Sequence, residues 1–133
     1  MRPGSMRRGA VAGVALYALT PALLSFAGID TSDVDAYLMQ DMETALKDLE
    51  PVLTAGNFDS ALADAQVLRE GLQYIHGYFL AKGAQDGIRI AVDGQAAIAR
   101  VLEAIEKKDR EAAIVAARDT GKNCKSCHDI YHP

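Results

Sequence analysis

Tryptophan is absent from this 133-residue chain, and aromatic residues make up only 6% of it. The apolar half of the composition is led by Ala and Leu. That balance suits helices packed through small side chains and argues against a β-sandwich, which draws on β-branched and aromatic residues. From Ile29 onward there is no strand-like alternation, internal repeat, long loop or low-complexity run. The length allows one domain and not two. Cysteine is scarce as well: Cys124 and Cys127 are the only two, so no pair is left for a structural disulfide elsewhere. The fold must be held by its core and by whatever those two thiols carry.

Acidic residues are missing from the first 27 positions. Arg2, Arg7 and Arg8 give a basic start, and Ala10 to Ala27 is an uncharged apolar run. Ser25-Phe26-Ala27 places small residues at −3 and −1 of a signal-peptidase site, which predicts a signal peptide over 1–27 cleaved after Ala27. An uncleaved membrane anchor is the alternative, opposed by Pro21 and the small-residue exit. Arg7-Arg8 is a weak twin-arginine signal, set aside because the cofactor argued below is attached to a chain that has crossed the membrane unfolded. On either reading the folded part, 28–133, faces an oxidising compartment, expected to be the periplasm, where unoccupied thiols do not persist. Without residues 1–27 the chain keeps 11 Lys+Arg against 18 Asp+Glu, a net charge of −7. Such a surface repels nucleic acid and favours basic or mixed-charge protein partners.

Four amphipathic helices are expected. The first starts near Ser32, with Thr31 or Ser32 as cap and Asp33 and Asp35 in its first turn. Leu38, Met42, Ala45, Leu49 and Val52 form its seam, and Pro51 is expected to bend or restart its last turn. The second opens at Asn57 or Asp59 and stops at Lys82-Gly83. Its stripe is Phe58, Ala61 or Leu62, Ala65, Leu68, Leu72, Ile75 and Phe79. The third begins near Asp86 with a seam of Ile88, Ala91, Gln95, Ile98, Leu102 and Ile105, and Gln95 needs a partner if buried. Asp109 caps the fourth, whose seam is Ala113, Ala117, Thr120, Cys124, Cys127 and Tyr131. Short turns between helices of this length predict an all-α, antiparallel up-down-up-down four-helix bundle.

The last helix carries the chemistry. Cys124-Lys125-Ser126-Cys127-His128 is C-x-x-C-H, the attachment sequence of a covalent c-type haem. Two thiols at i and i+3 share a helix face and can add to the two vinyl groups of one porphyrin, and the next residue, His128, then supplies the proximal nitrogen to iron. Three other readings compete. A thioredoxin-type disulfide needs C-x-x-C opening a helix after a strand, and none precedes it. Zinc on Cys124, Cys127, His128 and His132 would draw all its ligands from one short segment. The third is a chance match.

The chain resembles the cytochrome c′ family over roughly residues 30–133. The resemblance rests on the secretion signal, the four helices and the terminal Cys-Lys-x-Cys-His followed by Asp129-Ile130-Tyr131. It implies one haem c per chain lodged near one end of the bundle, anchored by Cys124 and Cys127 and ligated by His128. It also implies that a residue of helix one approaches the opposite face of the iron. In low-spin relatives that residue is a Met, which suits electron transfer. In high-spin relatives it is apolar and the five-coordinate iron binds NO or CO. Met42 lies on the inner seam and is the candidate sixth ligand, ahead of Met39; a Met acting only as core filler leaves the iron five-coordinate. Two positions depart from the family. Helix one has no Arg before the distal position, reading Asp35-Ala36-Tyr37-Leu38, and His132 stands where many members carry a basic residue.

The resulting expectation is a non-enzymatic electron carrier with a redox partner protein, and a gas-binding cytochrome as the alternative. Peroxidase-like turnover needs a distal acid–base residue that helix one does not offer. Relatives imply a homodimer through helices one and two, and membrane contact is expected only if the leader is kept. His76 and the Glu103–Glu111 charge cluster read as surface features.

Overall fold

Short polar side chains set most of the helix starts. The computed structural model describes residues 28–132. The expected leader, its cleavage site after Ala27 and Pro133 lie outside the described residues. The first helix, α1 (Ala36–Thr54), starts four residues later than expected. Its cap is Asp35, whose Oδ1 accepts from the backbone N–H groups of Tyr37 (3.0 Å) and Leu38 (3.1 Å). Thr31 and Ser32 do not cap it because tertiary partners hold the segment before it. The Thr31 hydroxyl donates to the Tyr131 carbonyl, and Asp33 is taken by Tyr78 and Lys82. The helix runs through Pro51 to Thr54, so the proline does not restart it.

Asn57 caps α2 (Phe58–Lys82), accepting from the Ser60 N–H at 3.1 Å. Gly83 ends it in the left-handed region at φ 66°, where glycine carries no Cβ penalty. Helix α3 (Gln85–Glu106) follows at once, and its cap position, Ala84, has no side-chain acceptor to offer. Asp109 caps α4 (Arg110–Tyr131) by accepting from Ala112 N–H at 3.1 Å.

Among the described residues there are four helices and no strand. Helix α1 packs against α2 and α4, and α3 does the same; the pairs α1/α3 and α2/α4 make no close backbone approach. This arrangement is compatible with a four-helix bundle. No described helix is long and apolar enough to cross a membrane.

The main core is centred on Leu49, Leu53, Leu68, Ile98 and Val101, all essentially without solvent exposure. Each such side chain contributes roughly 1.5–3 kcal/mol over leaving it exposed. The α2 stripe matches expectation, with Leu62 left outside. On α3 the buried face is displaced and wider than expected. Ile90, Gly94, Ala97, Val101 and Ala104 join Ala91, Ile98 and Ile105, while Ile88, Gln95 and Leu102 are half-buried. The physical reason is that α3 contacts two neighbours through small residues, which carry little weight in a hydrophobicity pattern. Gln95, being only half-buried, retains access to water.

Candidate haem-attachment site

The motif occupies the last two turns of α4. Cys124 and Cys127 are half-buried free thiols, and His128 is exposed. Cys127 packs against a second apolar cluster formed by Ile75, Phe79, Ala84 and Ala91. Ile29, Met39, Ile88 and Tyr131 border the same cluster. Burial raises the Cys124 pKa above its usual value. Burial, then the neighbouring Cys124, pushes the Cys127 pKa to about 11. Both sulfurs are therefore protonated at neutral pH, and they sit at the negative end of the helix dipole, which opposes a thiolate further. A redox-active C-x-x-C needs the reverse, a depressed thiol pKa at a helix N-terminus. Zinc fares no better: among the described residues no three His, Cys, Asp or Glu side chains converge to hold a metal ion. The His128 and His132 rings stand edge to face with centroids 5.8 Å apart.

Helix α1 faces this part of α4. Leu46 reaches within 4 Å of where a Gly121 Cβ would stand, and Arg118 pairs with Glu50 at 2.6 Å. The Glu43 carboxyl is held below its ordinary pKa, first by the hydrogen bond from Lys47. Met42 is buried in the main core. Met39 is half-buried and touches both clusters, including the one that holds Cys127. His76 is half-buried on α2.

Glycines make room in the interior of this half of the molecule. A Cβ on Gly71 would overlap the Met42 side chain, one on Gly87 would overlap the Phe79 ring, and one on Gly94 would come within 2.8 Å of Leu72. The covering side chains are buried core residues that fill this space. Two thiols and an imidazole on one helix end, with an apolar cluster beside Cys127, are a donor set whose chemistry fits a covalently attached porphyrin.

The end of the molecule beside the motif is closed by groups that periodicity does not reveal. Tyr131 lies against Phe79, centroids 4.6 Å apart, and its Oη accepts from the buried Gly87 N–H at 3.1 Å. The partner of that hydroxyl is thus a backbone donor at the start of α3. Residues 29–35 cross the end of α2. The Tyr78 hydroxyl donates to Asp33 Oδ1 at 2.5 Å, and Lys82 Nζ donates to both Asp33 oxygens (3.1 and 2.9 Å) and to the Asp30 carbonyl (3.2 Å). Asp33 is held below its ordinary pKa by Tyr78 and Lys82. Interrupting glycines in α2 and α3 were the available signal for the interior space; nothing local in the sequence pointed to the strap. Comparison with family models, with curated proteins and with solved structures finds no match to this chain.

Proposed function

We propose that the protein is a four-helix-bundle c-type cytochrome of the cytochrome c′ type, antiparallel in topology, with haem on its last helix. The residues that meet at each end support the antiparallel order: Thr31 with Tyr131, Asp33 with Tyr78, and Glu50 with Arg118. More particularly, it is a periplasmic carrier of one electron between protein partners. The observation that carries this reading is the C-x-x-C-H set on one helix end, with both thiols half-buried and protonated.

Cys124 and Cys127 would hold the porphyrin through thioethers, leaving neither residue as a free thiol. His128 would supply an imidazole nitrogen to the iron. Bound in this way, the haem supplies reversible one-electron exchange. Met42, on the adjacent helix α1, would be the residue that supplies a thioether to the iron. Phe79, Tyr131 and the 29–35 strap keep water from the apolar cluster beside Cys127. The second reading, a five-coordinate protein that binds NO or CO, is favoured by one feature: the Met42 thioether rests against the α2 backbone at Gly71.

A pyridine haemochrome assay and intact mass on protein made in a host competent for cytochrome maturation test the proposal. One covalent haem per chain is expected, lost in Cys124→Ala/Cys127→Ala. A mass equal to the bare polypeptide overturns it.

A further inference from the structure

Gly71 sits in the middle of α2 with no positive φ to explain it. A glycine there costs roughly 0.5–1 kcal/mol of helix stability relative to Ala, so its reason is tertiary. That reason is Met42. The thioether sulfur and the carbons on either side of it lie where a Cβ at position 71 would stand, the methyl carbon at 2.7 Å. Two other interior glycines are covered in the same way, but by Phe79 and Leu72, which carry no donor atom. Among the glycines of the described residues, Gly71 alone seats a side chain that can ligate haem iron.

We propose that Gly71 is a positioning residue: it is the off-iron seat of the Met42 thioether, and so sets how often the sixth coordination position opens to a small neutral ligand such as CO. The inference rests on the haem reading above. A methionine with three rotatable bonds has two exclusive places, against Gly71 or on the iron. Ligand affinity then scales with the fraction of time the seat is occupied. Filling the seat with a methyl group leaves only the on-iron position.

The sign separates this from a packing role. Gly71→Ala is expected to weaken CO binding to the reduced, haem-loaded protein by about tenfold or more, through loss of the open fraction, and to make its optical spectrum fully low-spin. A merely structural disturbance would loosen Met42 and do the opposite. Met42→Ala is expected to give a high-spin protein that binds CO readily, and Gly71→Ala added to it should change neither property, because the steric conflict is gone. A third measurement uses only the unaltered protein: in its CO complex, the 13C-labelled Met42 methyl should show a nuclear Overhauser contact to the Gly71 α-protons. The proposal is overturned if Gly71→Ala binds CO as tightly as the parent or tighter, if Met42→Ala leaves the spin state unchanged, or if that contact is missing. A chain without covalent haem fails the haemochrome assay first, so failure of the underlying reading is recognised separately.

Discussion

Removing one oxygen atom, in Tyr131→Phe, tests how the motif helix is tied to its neighbour. Helix α3 begins after Ala84, which has no side-chain acceptor for the first-turn amides. The Gly87 N–H occupies the third helical position, where a Ser or Asp cap would normally accept. The Tyr131 hydroxyl at the end of α4 does so instead, at 3.1 Å. A lost cap costs about 0.5–2 kcal/mol, and a backbone donor left buried without a partner costs about 1–3 kcal/mol. Gly87 is buried, and the Tyr131–Phe79 contact survives the substitution, so the expected loss is about 1–2 kcal/mol. For a domain of this size that lowers the thermal midpoint by roughly 4–8 °C per kcal/mol. Chemical and thermal denaturation of the parent, Tyr131→Phe, Ala84→Ser and the double variant form the assay. Ala84→Ser should restore most of the loss in the Tyr131→Phe background and add little on its own, since one N–H needs one acceptor. A Tyr131→Phe loss below about 0.3 kcal/mol, or an equal gain from Ala84→Ser in both backgrounds, would refute the capping role.

Three further outcomes are expected. In haem-free protein, Cys127 has a folded-state pKa of about 11, above its unfolded value. Folding therefore favours the protonated thiol, and this contribution is full below pH ~9 and fades as pH rises through about 11. Haem-loaded protein, whose thioether has no proton to lose, should lack that decline; pH-dependent denaturation of both forms checks it. Leu68→Ala, at a site without exposure, should cost about 2–5 kcal/mol by urea denaturation. A double-mutant cycle on the exposed Arg118–Glu50 pair should give a coupling of about 1 kcal/mol or less, falling with added salt, despite its 2.6 Å separation.

Caps and stops at Asn57, Gly83 and Asp109 were legible because each acts on the three or four residues beside it. The α2 stripe was legible because its large side chains repeat at helical spacing. The α1 start was not, since Asp33 answers to Tyr78 and Lys82 some 45 and 49 positions away. The α3 face was misjudged at Gly94 and Ala97, where close approach of neighbouring helices buries residues that a hydrophobicity pattern leaves neutral.

The sequence by itself determined four helices and the placing of two thiols and an imidazole at the end of the last one, because helix periodicity and motif spacing are short-range properties of the chain. Only the tertiary structure decided that Tyr131 completes the start of α3, that residues 29–35 are drawn across α2, and that Met42 lies on Gly71. Each of these joins residues from 29 to 52 positions apart, through one hydroxyl, one ammonium group and one missing Cβ. Contacts of that kind arise from how helices pack, and no local pattern encodes them.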